Sequence, residues 1–171
     1  MDGNGRWAKK RLLPRIAGHK KGLDSIGVII KAAINYNVST ATLYAFSTEN
    51  WNRPSEEING LMELFSDAIE SQTDKLITND IRVCILGDIS IFTKELQSKI
   101  KSLIKKTSIN KGLNLNIALN YGARSEIIMA VNKASKSKVG ALLEKDLTGN
   151  LYTKDMPDVD LLIRTGGQKR L

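Results

Sequence analysis

The sequence predicts an α/β fold with an open, mostly parallel sheet that is flanked by helices on both faces. Three observations support this prediction. Strand-like and helix-like segments alternate along the chain, the strand-like segments are short and apolar, and 171 residues with 42% hydrophobic content suit one domain. We therefore expect a single domain over 1–171. In such folds ligands bind beyond the carboxyl ends of the strands, so the loops there are the candidate site.

The helices are predicted from apolar residues that recur at steps of three and four. Such stripes cover Gly22–Tyr36, a long segment that starts at Ser55, Ser90–Lys106 and Arg124–Lys136. Ser55 is a capping residue with acids in the following turn, which places the start of that helix there. A shorter helix with a turn is expected within Val139–Tyr152.

Four strands are predicted between and after these helices: Ser39–Phe46, Ile81–Leu86, Leu113–Asn120 and Val159–Ile163. Three of them are followed directly by polar loops, at Ser47–Pro54, Asn120–Arg124 and Arg164–Gly167. Because parallel strands end at one edge of a sheet, the sequence predicts that these three loops share one rim.

The charge balance favours an anionic partner. Lys and Arg total 26 against 18 acidic residues, which gives +8, so phosphates, nucleic acid or an anionic membrane surface are the natural partners. Aromatic residues are only 5% of the chain, and no basic stretch is interleaved with aromatics, which disfavours nucleic acid.

One cysteine and one histidine exclude a zinc site of the usual nitrogen and sulfur type. A metal would be bound mainly by oxygen, and Mg²⁺ is the expected ion. Cys84 lies in an apolar strand-like run, where a buried structural thiol is expected. The sequence contains no apolar run near the roughly 20 residues of a membrane span and no signal peptide, so we expect a cytoplasmic protein.

The first ten residues contain side chains and glycines that could bind a metal ion and a phosphate. Asp2 is a hard oxygen ligand for Mg²⁺, Gly3 and Gly5 let backbone amides approach an anion, and Arg6 can pair with phosphate. These residues suggest a phosphate and metal site. A solvated N-terminal tail is the alternative that composition leaves open.

Arginines and one histidine extend this pattern. Six arginines lie in or near the predicted loops, namely Arg6, Arg15, Arg53, Arg124, Arg164 and Arg170, whereas most lysines lie on helices. Guanidinium groups match phosphate oxygens, although any one arginine could instead form a surface salt bridge. His19 has basic neighbours that would lower its pKa and keep it neutral, and a purely structural role is its alternative. Ser47, Asn50 and Arg53 fall within one loop, where Trp51 could cover a ligand or cap the core.

Five segments carry a resemblance to a known family: MDGNGRWAK at the start, RxxGHxxG at Arg15–Gly22, LYAFSTENWNRP at Leu43–Pro54, LNIALNYGAR at Leu115–Arg124 and VDLLIRTGGQKR at Val159–Arg170. Together they resemble the cis-prenyltransferases, in particular the bacterial undecaprenyl diphosphate synthases. The resemblance spans the chain in the order of the family. It implies repeated condensation of isopentenyl diphosphate onto an allylic diphosphate, usually farnesyl diphosphate, to make a polyprenyl diphosphate for cell-wall synthesis. It also implies a hydrophobic tunnel for the growing chain.

By this resemblance Asp2 is the Mg²⁺ and pyrophosphate anchor, and the residues that follow it bind the allylic pyrophosphate. The catalytic residues that it implies are Asp2, His19, Ser47 and Asn50. The substrate-binding residues that it implies are Gly3, Asn4, Gly5, Arg6, Trp7, Arg15, His19, Ser47, Asn50, Trp51, Arg53, Arg164 and Arg170, with Arg164 and Arg170 on the isopentenyl diphosphate side.

The resemblance further implies a homodimer with a peripheral contact to the inner membrane face, and no nucleic acid partner. The family has a strand before the Asp-Gly-Asn-Gly-Arg segment and continues well beyond Arg170, so we expect the chain to lack that strand and the C-terminal segment. Two alternatives remain at this point: a non-catalytic scaffold subunit of the same family, and a basic phosphate-binding or RNA-binding domain.

Overall fold

The computed structural model of the protein describes residues 2–167, and three parallel strands form its sheet. The strands are β1 (Thr40–Ser47), β2 (Arg82–Leu86) and β3 (Asn114–Tyr121), arranged in the order β1-β3-β2. Thr40 and Arg82 both pair with Asn114, so the three strands start in register and end on the same side. The predicted parallel sheet is confirmed.

Six α-helices flank this sheet in the described chain: α1 (Asn4–Lys9), α2 (Arg15–Asn35), α3 (Ser55–Thr78), α4 (Lys94–Thr107), α5 (Ala123–Ser137) and α6 (Glu144–Thr148). α2 begins right after Pro14, earlier than the apolar stripe alone predicts, because a proline just before the first helical residue suits a helix start. Thr93 caps α4 by accepting a hydrogen bond from the Leu96 N–H. None of these helices is long and apolar enough to span a bilayer.

The core lies on the face of β3 that carries Leu115, Ile117 and Leu119. One buried cluster joins Leu119 to side chains of β1, α3 and α4, and a second joins Leu115 to side chains of α2 and of the chain around β2. Ile117 contacts both clusters. The alternation along β3 therefore attaches three helices to one face of the sheet.

The strand predicted at Val159–Ile163 is wrong. These residues carry no strand pairing, and the side chains of Val159 and Ile163 are largely exposed. A strand is stable only when its backbone groups pair with a neighbour. In the described chain the sheet contains β1, β3 and β2 only, and β1 pairs with β3 and not with the segment 159–163. The segment 159–163 instead runs without regular secondary structure toward Arg164 and Thr165.

Two helices are held together by close backbone contact. A Cβ added to Gly18 in α2 would lie 2.1 Å from the Asn4 carbonyl oxygen in α1, which is far too close for a carbon and an oxygen that are not bonded. Glycine at position 18 therefore lets α1 lie directly on α2. This contact positions the first residues of the chain beside the sheet edge.

Candidate active site

A cavity of about 710 Å³ opens at the carboxyl ends of β1 and β3. Residues from the three predicted loops line it, together with the first residues of the chain and parts of α2 and α3. The prediction of one shared rim is thereby confirmed. Its polar lining comprises Asp2, Asn4, Arg6, Lys9, Arg15, His19, Ser47, Asn50, Arg53, Glu57, Arg164 and Thr165.

The lining changes from charged to apolar along α3. Glu57 lies in the first turn of this helix, and Leu61, Leu64 and Phe65 follow one and two turns later in the same cavity wall. Ala45, Phe46 and Ala118 add apolar surface from the strands. Such a cavity suits a ligand with an anionic head and a hydrocarbon tail.

Asp2 links the two ends of the described chain. Its carboxylate accepts a hydrogen bond from the Gly3 N–H at 2.7 Å and pairs with Arg6 at 3.4 Å and with Arg164 at 3.3 Å. The Asp2 N–H donates to the Thr165 hydroxyl, which donates in turn to the Asp2 carbonyl oxygen. Burial would raise the pKa of Asp2, but the Gly3 N–H and the two arginines outweigh it and hold that pKa below its usual value.

Glycine is required where these two segments touch. Gly3 has a φ of +88°, and a Cβ on it would lie 3.0 Å from the Cα of Gly166, which has a φ of +81°. Side chains at either position would be strained and crowded. The pair of glycines therefore lets Asp2 approach Arg164.

Glu57 organises a second charged cluster. Its side chain is only 9% exposed and pairs with Arg15 at 3.1 Å and with Arg53 at 3.2 Å. His19 Nε2 lies 3.5 Å from its Oε1, at the limit of hydrogen bonding. One buried carboxylate therefore positions two guanidinium groups from different elements at the cavity.

The surroundings of His19 favour its neutral form. Burial lowers its pKa, and the charges of Arg53 and Arg15 lower it further, whereas Glu57 opposes the shift. The direction agrees with the prediction from its basic neighbours, although burial rather than charge is the main cause. A neutral imidazole at the cavity can donate or accept one proton.

The loop after β1 holds itself in shape. The Ser47 N–H donates to Asn50 Oδ1 at 3.2 Å, within a 3-10 turn over Thr48–Asn52. Trp51 donates its indole N–H to Asn120 Oδ1 at 2.8 Å and packs against Phe46 and Phe92. Trp51 therefore supports the loop from the core side and does not line the cavity.

The structure brings most of the predicted site residues together. Gly3, Asn4, Gly5, Ser47 and Asn50 lie in the cavity wall beside the charged residues already described. Trp7 does not line the cavity and packs under the Arg11 guanidinium, whose carbon lies 4.2 Å from the ring centre. Arg124 lines a separate open groove on α5, and Arg170 lies outside the described residues.

Sequence reasoning missed Glu57 and Tyr121, which both line the cavity. Glu57 could have been found, because it lies four residues after Arg53 at the start of a predicted helix, a spacing that pairs opposite charges. Tyr121 carries no such signal, since its contacts are formed only in the folded chain.

Asp2 and a diphosphate together fit a Mg²⁺ ion. Among residues 2–167 no three His, Cys, Asp or Glu side chains group as a metal site. Mg²⁺ is commonly held by one or two carboxylates and substrate phosphates while it keeps several waters, and Asp2 offers one partly exposed carboxylate at the cavity. The donor set therefore suits an ion that arrives with a phosphate ligand.

Comparisons with known proteins place this geometry in one family. The family model described as "Putative undecaprenyl diphosphate synthase" matches residues 1–171. An isoprenyl transferase of Chromobacterium violaceum is 47% identical over the whole chain, which covers 68% of that protein. A ditrans,polycis-undecaprenyl-diphosphate synthase of Photorhabdus laumondii, described as (2E,6E)-farnesyl-diphosphate specific, is 45% identical and is covered to 70%.

Solved structures agree with the sequence matches. A "probable undecaprenyl diphosphate synthase" of Campylobacter jejuni superposes with a TM-score of 0.81 at 36% identity, over 88% of this chain and 72% of that one. Lavandulyl diphosphate synthase of Lavandula x intermedia, in complex with dimethylallyl diphosphate, has a TM-score of 0.85 at 28% identity, over 92% and 70%.

Proposed function

The chain belongs to the undecaprenyl diphosphate synthase family of cis-prenyltransferases, and we propose that it adds isopentenyl diphosphate units to farnesyl diphosphate to make undecaprenyl diphosphate. One observation carries the proposal: a single cavity joins the arginine-rich rim to the apolar wall of α3. A prenyl diphosphate has the same division between anionic head and hydrocarbon tail.

Each round of this reaction breaks the allylic carbon–oxygen bond, forms one carbon–carbon bond and releases pyrophosphate and a proton. Arg6, Arg15 and Arg164 are proposed to hold the diphosphates and to stabilise the charge that the leaving pyrophosphate acquires. Asn50, Ser47 and the neutral His19 are proposed to orient the homoallylic unit or take its proton.

We propose that the reaction requires Mg²⁺, which Asp2 would hold together with the diphosphate oxygens. The bound ion would neutralise charge on the leaving pyrophosphate. Without a ligand, the carboxylate of Asp2 is paired with Arg6 and Arg164. When the diphosphate binds, these two arginines would pair with its oxygens instead.

We propose a homodimer that touches the inner membrane face when it releases its product. The exposed apolar side chains of Val159, Leu161 and Ile163 supply surface that such contacts would cover. Sedimentation velocity tests the dimer, and co-sedimentation with anionic vesicles tests the membrane contact. A monomer at micromolar concentration would contradict the first, and absence from the vesicle pellet would contradict the second.

The central experiment incubates the protein with farnesyl diphosphate, radiolabelled isopentenyl diphosphate and Mg²⁺, and resolves the products by chain length. We expect chain extension by the wild type and a loss of about 100-fold or more in turnover for Asp2→Ala, on the scale of removing an electrostatic contact to a leaving group. Asp74→Ala, on an exposed position of α3, is the matched control and should be fully active.

The same experiment distinguishes the alternatives. If the protein is a scaffold subunit, neither the wild type nor the Asp2→Ala variant should give a prenyl product. A basic RNA-binding domain would give no product and would bind RNA in a salt-sensitive way. The apolar wall of the cavity disfavours that second alternative, because single-stranded nucleic acid binds along basic grooves with aromatic side chains on which its bases stack.

A further inference from the structure

Glu126 is a buried carboxylate outside the charged rim. It lies in the first turn of α5, is 6% exposed, and does not line the cavity. Burying a carboxylate is costly unless hydrogen bonds satisfy it. The hydrogen-bond donors to its two carboxylate oxygens therefore show which parts of the chain Glu126 holds together.

Both oxygens of Glu126 accept short hydrogen bonds. The Tyr121 hydroxyl donates to Oε2 at 2.6 Å, and the Tyr152 N–H donates to Oε1 at 2.7 Å. Hydrogen bonds to an ionised acceptor are about twice as strong as neutral ones. Glu126 thus joins the end of β3, the start of α5 and the chain that follows α6.

Each partner leads to the cavity by a different route. Tyr121 lines the cavity directly, pairs in the sheet with Ser47, and its ring meets the edge of Tyr44 at 6.4 Å between centres. Tyr152 begins the stretch of chain that ends at Arg164, where the Asp2 contacts hold it. That stretch is therefore fixed by Glu126 at one end and by Asp2 at the other.

We propose that Glu126 is a positioning residue for the prenyl transfer reaction. It fixes the Tyr121 ring as a wall of the cavity and anchors the chain that presents Arg164. The Tyr121 hydroxyl donates its hydrogen bond to Glu126 and so cannot donate one to the diphosphate. Tyr121 therefore contributes its ring as an apolar surface for the hydrocarbon. This proposal rests on the proposed function, in which the cavity holds a prenyl diphosphate.

Three variants separate the two routes. Glu126→Leu removes both hydrogen bonds. Tyr121→Phe removes one and leaves the Tyr152 contact intact. Glu126→Gln is the conservative variant, because a side-chain amide can accept from the Tyr152 N–H and donate to the Tyr121 oxygen. Thr107→Val is the control: it deletes a fully buried hydroxyl that bonds Val83 and Leu103, away from the cavity.

Calorimetric binding of inorganic pyrophosphate provides a readout that does not depend on turnover. We expect Glu126→Leu to weaken pyrophosphate binding on the order of ten-fold, as expected when charge-assisted hydrogen bonds that hold a site are lost. Tyr121→Phe should leave that binding within about two-fold and raise the KM for farnesyl diphosphate. In the Glu126→Leu background Tyr121→Phe should add almost nothing, because the two side chains act as a pair.

Thr107→Val should lower the thermal midpoint and leave pyrophosphate binding and both kinetic constants unchanged. Glu126→Gln, which can keep both hydrogen bonds, should stay close to the wild type in binding and kinetics. The proposal is overturned if Glu126→Leu behaves like Thr107→Val. Should Glu126→Leu fail to fold, Tyr121→Phe still decides, since an unchanged KM for farnesyl diphosphate would refute the positioning of the Tyr121 ring by Glu126. A wild type that binds pyrophosphate but makes no prenyl product would refute the proposed function instead.

Discussion

Replacing Glu57 with Gln tests the charged cluster without changing its shape. The Glu57 side chain is 9% exposed, whereas the side chains of Arg53 and Arg15 are 33% and 65% exposed. A hydrogen bond to a charged group contributes about 1.5–3 kcal/mol when it is buried, and an exposed pair contributes about 0–1 kcal/mol. Arg53 therefore accounts for most of the energy, and the loss should be about 2 kcal/mol.

That energy corresponds to about 30-fold in the fraction of molecules that hold both guanidinium groups in place. We expect kcat/KM for farnesyl diphosphate to fall by up to this factor. The assay is the steady-state rate of labelled isopentenyl diphosphate incorporation, with thermal unfolding measured in parallel. Glu63→Gln, the same substitution at an exposed position of α3, should change neither quantity. A kcat/KM of Glu57→Gln that stays within two-fold of the wild type, or that rises, would refute the positioning role of Glu57.

Three further outcomes are expected. Gly18→Ala should unfold at markedly lower temperature in calorimetry, because its methyl group would overlap the Asn4 carbonyl oxygen; an unchanged midpoint would show that α1 is free to move. Asn120→Ala should lower kcat by about ten-fold through the unpaired Trp51 indole and the loosened loop, and a full rate would contradict this. As the pH falls below the ordinary His19 value of 6.5, the unfolded chain binds a proton that the folded one does not, so stability should fall. His19→Asn should lose less stability over that window in urea titrations.

The sequence predicts which elements and loops form the site better than it predicts the ion pairs and hydrogen bonds between their side chains. The three strands of the sheet and the long helices follow from local periodicity, and the shared rim follows from the parallel arrangement. The predicted strand at 159–163 failed because its apolar residues satisfy the pattern of a strand, although the segment pairs with no strand of the described chain. Acids are favourable in the first turn of any helix, so the sequence does not single out Glu57 or Glu126 as shielded groups, and only the fold shows that both side chains are largely removed from solvent.

The charge arrangement explains how one site could both hold and release a diphosphate. Five cationic side chains and two carboxylates line the cavity, which leaves three positive charges in excess while His19 is neutral. Asp2 and Glu57 keep four of the arginines paired before a ligand binds, so the guanidinium groups are positioned in advance rather than ordered at a cost by the substrate. The same carboxylates compete with the bound phosphate oxygens. Because the pairs with Asp2 are long, at 3.3 to 3.4 Å, and partly exposed, that competition is weak enough for a diphosphate to win and for pyrophosphate to leave.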